Sequence, residues 1–217
     1  IPTARINTHV LFSGPANGEP VVFIHGNASS AVFWEELMLA LPPRFRGIAP
    51  DLRGYGETED LLIDATRGAE EWAEDLKALS DALGDRPAHL VGWSLGAAPV
   101  LQFALDYPHL VESITLTAPI SPYGFGGSHG PEGTPNYEDF AGSGGGSVNP
   151  EFVRRMQIND RGGEDANSPR TVMNTYYYKP PFRAQREEAY LSSLLLEKTG
   201  GDRYPGDFAP SANWPNV

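Results

Sequence analysis

Cysteine is absent from all 217 residues. That excludes disulfides, thiolate nucleophiles and cysteine-ligated zinc, and it leaves the redox compartment open. Basic residues are scarce, with 16 Lys and Arg against 28 Asp and Glu and a formal charge of -12. Nucleic-acid backbones and anionic membrane surfaces are both bound through basic side chains, so neither is an expected partner. No apolar run approaches the roughly 18 residues that a membrane helix needs. No basic segment followed by an apolar stretch opens the chain, so no secretory leader is visible. The expected compartment is the cytoplasm, with a secreted protein whose leader was removed as the alternative. No Gly-x-Gly-x-x-Gly or Gly-Lys-Ser/Thr loop follows a strand, which disfavours nucleotide binding. Histidines number five and form no cluster with carboxylates, so neither a metal nor another cofactor is expected.

What is present is a chain long enough for one substantial core or a core with a smaller second layer. Apolar runs alternate with helical patterns over residues 1–120. Thr8–Phe12, Pro20–His25, Phe45–Ala49, His89–Val91 and Leu110–Thr117 read as strands, and the second is apolar enough to be buried on both faces. Helices are expected from Ala31 to Pro42, from Arg67 to Leu83 and from the turn at Ser94 to about Asp106. The middle one is the clearest: Trp72, Leu76, Leu79 and Leu83 repeat at three and four, acids lie elsewhere, and Gly84 is a suitable stop. Strands alternating with long crossovers predict a doubly wound, mostly parallel α/β sheet.

Residues 121–150 are dense in Gly, Ser and Pro and read as a flap of long loops. Helical patterns return at Phe152–Ile158, Thr171–Tyr178 and Phe182–Lys198, the last with Tyr190, Leu191, Leu194 and Leu195 as its apolar face. The expected division is therefore a core at 1–120 and a flap with helical cap at 121–217. Gly200 to Val217 is again rich in Gly and Pro.

The stretch with a chemical meaning is Gly92-Trp93-Ser94-Leu95-Gly96, which directly follows the apolar run His89–Val91. On a strand-turn-helix elbow, a central serine is lifted clear of the sheet, while the flanking glycines let strand and helix approach. The same pattern recurs at Gly126-Gly127-Ser128-His129-Gly130, without an apolar strand before it or a helix after it. Ser94 is therefore the candidate nucleophile and Ser128 is not. The alternative for Ser94 is a plain helix N-cap.

Three separated pieces, His25-Gly26-Asn27-Ala28, Asp51-x-Arg53-Gly54-x-Gly56 and Gly92-x-Ser94-x-Gly96, each following a strand, together resemble the α/β-hydrolase superfamily. The likeness is to its lid-bearing branch of carboxylesterases, lactonases, C–C bond hydrolases and epoxide hydrolases. It covers about residues 8–120, and residues 121–217 stand where that family inserts its cap. The resemblance implies a sheet of that type and a serine hydrolase acting on a small ester, lactone or similar carbonyl substrate through an acyl-enzyme. It implies oxyanion donors at the backbone N–H groups of Asn27 and Leu95. It also assigns His25, Asp51 and Arg53 to loop structure. Trp93 is expected either to line the acyl pocket or to pack beneath the turn. Tyr176, Tyr177, Tyr178 and Phe182 would suit apolar or ring-containing substrates, or simply pack the cap on the core.

A serine nucleophile needs a base and an acid to orient it, and in this superfamily both follow the serine on loops after later strands. None of His9, His25, His89, His109 and His129 stands in that context. The catalytic His and acid are therefore expected after Val217, with a second polypeptide or a C-terminal fragment of the same protein completing the sheet. Epoxide hydrolase and dehalogenase chemistry is disfavoured because Ser94 stands where those enzymes carry Asp. C–C hydrolase and aminopeptidase activities stay open, as does a non-catalytic binding protein on a hydrolase fold.

Overall fold

The computed structural model describes residues 1–64, 67–123, 126–142, 149–200, 203–205, 211 and 213. Its centre is a five-stranded sheet in the order β1-β3-β2-β4-β5, formed by β1 (Val10–Ser13), β2 (Glu19–Ile24), β3 (Phe45–Pro50), β4 (Ala88–Trp93) and β5 (Val111–Thr117). β1 runs antiparallel to β3, and the other pairs are parallel. Helix α1 (Glu35–Leu39) continues a 3-10 turn at Ala31–Trp34. α2 (Glu70–Leu83) and α3 (Ala97–Asp106) complete this part of the chain.

Both faces of the sheet are covered, and the alternation along the strands shows how. In β2, Ile24 and Val22 pack with Ala73 of α2 and with Val100 and Phe103 of α3. Val21 and Phe23 point the other way, onto Trp34 and Met38. Phe23 and Ile24 are 2% and 0% exposed; burying such side chains stabilises a fold by roughly 1.5–3 kcal/mol each.

Two expectations need correction here. The acids of α2 are not all on a solvated face: Glu71 and Asp75 are buried. Asp75 accepts Nε–H and Nη–H bonds from Arg53 at 2.7 and 2.8 Å and a further bond from Arg5 at 2.8 Å. Buried carboxylates persist when paired in this way, and Asp75 raises the pKa of the Arg53 guanidinium further above its ordinary value. The third cap helix is also shorter than its pattern. Helix α4 (Pro150–Gln157) is capped by Asn149, and α5 (Pro169–Val172) runs into a π turn at Met173–Tyr177. The last helix, α6, then spans only Glu187–Leu194. It stops because the chain leaves to dock on the core: the Lys198 N–H bonds Gly54 O at 2.8 Å.

The C-terminal helices sit over the sheet on one apolar cluster. Phe152, Met156, Met173, Tyr190, Leu191 and Leu194 close around Ala28, with Phe33 partly buried against them. Gly84 ends α2 in the left-handed conformation (φ 98°), as its position predicts. The flap adds a small ribbon of Ser128–His129 against Thr134–Pro135. The expectation for Gly200 to Val217 lies largely outside the described residues. No described helix is long and apolar enough to cross a membrane.

Candidate active site

Ser94 leaves β4 with φ +53°, a left-handed conformation in a non-glycine residue. It opens the 3-10 turn Ser94–Gly96 that leads into α3. Such backbone strain persists only where its surroundings enforce it, and here glycines do so. A Cβ on Gly92 would lie 2.8 Å from Gly96 O, and one on Gly96 would lie 2.4 Å from His25 O and 2.5 Å from Ile24 O. Strand, turn and neighbouring strand are thus closer than any other residue permits. A Cβ on Gly26 would stand 3.1 Å from Ser94 Cβ, so the loop after β2 passes directly beside the serine. Ser128, by contrast, lies in the flap ribbon and meets no helix.

The loop is held from several sides. His25 is fully buried. Its Nε2 accepts the Leu52 N–H at 3.0 Å, which places the proton on Nδ1, where it is donated to Gly26 O at 2.8 Å. Burial lowers the His25 pKa against the opposing pull of Asp51, and with Nε2 committed to the Leu52 N–H the ring has no free acceptor to serve as a base. The Ser29 hydroxyl also donates to Gly26 O, at 2.7 Å. Because the peptide unit is planar, fixing Gly26 O fixes the direction of the Asn27 N–H on the other side of that plane. His25 and Ser29 therefore orient the backbone donor, though neither faces the serine as a catalyst.

Asp51 ties the same loop to its neighbour. It accepts from the Ala31 N–H at 2.7 Å and the Glu57 N–H at 3.0 Å, and meets His9 Nδ1 at 2.8 Å. The Tyr55 hydroxyl donates to the Asn27 side chain at 2.8 Å. Leu95 follows Ser94 in the turn, where the first helical N–H groups have no intrahelical acceptor. Trp93 is half-buried between layers: its ring lies 6.4 Å from Trp34 below and 5.3 Å from Tyr177 of the cap, with Phe33 at 5.8 Å.

Of the four cap aromatics, only Tyr177 reaches this region. Its hydroxyl donates to Ala28 O at 2.9 Å and Asn27 O at 3.2 Å. Tyr176 and Phe182 are 77% and 55% exposed, and Tyr178 packs on Phe182 at 5.3 Å. Removing the Tyr177 hydroxyl takes away a bond worth about 1 kcal/mol. Tyr177→Phe should therefore lower stability by about that amount, measured by urea unfolding, with faster hydrogen exchange confined to the residue 26–30 loop.

One buried group has no counterpart in the sequence reading. Glu197, just past α6, is 6% exposed, and its carboxyl oxygens make no hydrogen bond of full geometry among the described residues, only an approach by the Ala28 backbone. Burial pushes its pKa well above the ordinary glutamate value of 4.5, with the Ala28 backbone opposing the rise. Folding then takes up a proton that the unfolded chain releases, so this contribution to stability is full below the unfolded pKa and is lost as pH rises toward the folded one. The slope for one proton is about 1.4 kcal/mol per pH unit. Urea midpoints between pH 5 and pH 8 should fall for the native protein and flatten in Glu197→Gln. Equal slopes in the two proteins would show that Glu197 is ionised when folded. A lone carboxylate after a run of leucines carries no pattern that reading the sequence could detect.

His9 pairs with Asp51, His89 with Ser113 and Glu19, and His129 with Asn136. His109 lies in the turn before β5. Among the described residues, no group of His and carboxylates is arranged to hold a metal.

Comparison with known proteins matches this geometry. A family model described as the alpha/beta hydrolase fold matches residues 19–141. The chain is 33% identical over 117 residues to a 2-hydroxy-6-oxo-6-phenylhexa-2,4-dienoate hydrolase of Burkholderia cepacia, covering 52% of this chain and 41% of that one. It is 31% identical over 112 residues to a carboxylesterase of Bacillus subtilis, covering 52% and 38%. It thus spans about two fifths of the length of these curated relatives. A solved hydrolase structure from Pseudomonas aeruginosa PA01 superposes with a TM-score of 0.60 over 89% of this chain and 64% of that one, at 19% identity; this likeness concerns the fold alone.

Proposed function

Because the chain belongs to the α/β-hydrolase fold family, we propose that Ser94 is the nucleophile of a serine hydrolase that opens a small ester, lactone or similar carbonyl substrate. The observation that carries this reading is the strained Ser94 backbone, at φ +53°, on an elbow closed by Gly92, Gly96 and Gly26. In the proposed reaction, Ser94 Oγ attacks the carbonyl carbon, its proton passing to a histidine base, and the leaving group departs to give an acyl-enzyme that water hydrolyses. The oxyanion is held by the backbone N–H groups of Asn27 and Leu95, the first oriented by His25 and Ser29 through the shared peptide plane. Trp93 and Tyr177 wall the acyl side.

The base and its orienting acid are proposed to come from a polypeptide segment that pairs with β5, either a second chain or another part of the same protein. Support lies in the state of that strand: β5 is at the edge of the sheet, and Ile114 on it is 39% exposed. Curated relatives include both a dienoate hydrolase and a carboxylesterase, so a C–C bond next to a ketone stands beside an ester as the bond cleaved.

The test is labelling by a fluorophosphonate probe. Full-length protein should become covalently modified at Ser94, and Ser94→Ala should stay unmodified. Labelling that persists in Ser94→Ala, or failure of the full-length native protein to label, would overturn the assignment.

A further inference from the structure

A cavity lies at the end of the sheet opposite Ser94, where β2, β3 and β4 begin beneath α2. Its volume is about 60 Å³, with Val22, Ile48, Leu79, Leu90 and Phe103 among its walls and Arg46 and Arg86 also lining it. The six-residue step along the chain from Ala88, which also lines the cavity, to Ser94 corresponds to roughly 20 Å of strand. The two sites are therefore separate.

The state of those two arginines makes the cavity chemically specific. Elsewhere in this acidic chain, Arg53, Arg154, Arg155, Arg170 and Arg186 all face carboxylates. Among the described residues, Arg46 and Arg86 face none. Each spends one N–H on a backbone carbonyl of the turn before β2, Ala16 O at 3.1 Å and Gly18 O at 3.2 Å. A guanidinium has five N–H donors, so most of theirs remain for an incoming anion. The acids at the end of α2 do not compete: Asp81 is paired with Lys77, and Asp85 lies 3.6 Å from Lys77 and accepts the Ser80 hydroxyl at 3.0 Å.

We propose that this cavity is a binding site for a short alkyl carboxylate, with the tail between α2 and the sheet and the carboxylate held by Arg46 and Arg86. Apolar walls favour a hydrocarbon tail, and guanidinium forks match a planar carboxylate. Size limits the tail: about 60 Å³ is well under the ~150 Å³ of a cavity that takes benzene, so only a short tail is accommodated. A hydrolase of esters or ketones releases a carboxylate, so the site would sense product; that link rests on the proposed function, whereas the binding itself does not.

Calorimetric titration of hexanoate and 1-hexanol into full-length Ser94→Ala protein tests the site independently of catalysis. Hexanoate should bind, with 1-hexanol at least about 10-fold weaker. Adding Arg46→Gln and Arg86→Gln together should weaken hexanoate by about 10-fold or more while leaving 1-hexanol unchanged. No hexanoate binding at millimolar concentration, equal binding of 1-hexanol, or unchanged hexanoate affinity in the double variant would each overturn the proposal.

Discussion

Gly96→Ala is expected to be among the most damaging single-methyl changes in this protein. Its backbone angle is ordinary, φ -60°, so the cost is not conformational. The added carbon would lie 2.4 Å from His25 O and 2.5 Å from Ile24 O, and these are backbone atoms at the end of β2 that cannot swing aside as a side chain would. Overpacking of a tight interior costs about 1–3 kcal/mol, and more where backbone must shift, so a loss of about 3 kcal/mol or more is expected in urea unfolding. The displacement falls on the residue that precedes Gly26, so labelling of Ser94 should slow as well. Gly130→Ala provides the contrast. It also carries a positive φ, 71°, but its Cβ would meet nothing within 4 Å; only the left-handed strain of about 1–2 kcal/mol remains. If the two variants were equally stable and equally reactive, close approach at the elbow would not be what shapes the site.

Asp75→Ala should cost still more. Arg53 is buried with its guanidinium forked onto Asp75, and Arg5 shares the same carboxylate. Breaking a buried pair by removing one partner costs about 3–5 kcal/mol; here Arg53 would lose both bonds to Asp75 and keep only Glu71, at 3.5 Å, as a facing acid. The loss would not stay local, since Arg53 also donates to Leu62 O at 3.1 Å and its own carbonyl accepts the Trp72 indole N–H at 3.1 Å. Thermal unfolding of the full-length protein should show a fall in midpoint of roughly 10 °C or more for a loss of that size. Replacing Arg5 alone should be milder, because its side chain is 28% exposed and water can take its place.

That network marks where sequence reading stops. The periodicity of α2 showed which face is apolar, but Glu71 and Asp75 fall among its polar positions. Nothing local says that arginines about 70 and 20 residues earlier turn them inward. The elbow was legible because its requirement is local: a strand, two glycines and a helix in direct succession. The strands were legible for the same reason, with ends shifted by a residue or two. In the cap, adjacency misled. Tyr176, Tyr177 and Tyr178 are equivalent as letters, yet the π turn sends Tyr177 to the residue 27–28 carbonyls and leaves Tyr176 in solvent. The buried carboxyl of Glu197 and the absence of a facing carboxylate, among the described residues, at Arg46 and Arg86 are properties of surroundings, which no single residue carries.

The hydroxyl of Tyr177 has a kinetic consequence. It follows α5, yet it is shared between the carbonyls of Asn27 and Ala28, so in the proposed hydrolase any motion that lifts this segment must break that contact before a substrate can enter. Lid motions of this kind run on microsecond to millisecond timescales, far slower than a peptide rocking in place. Under the proposed function, turnover is then no faster than that opening and closing.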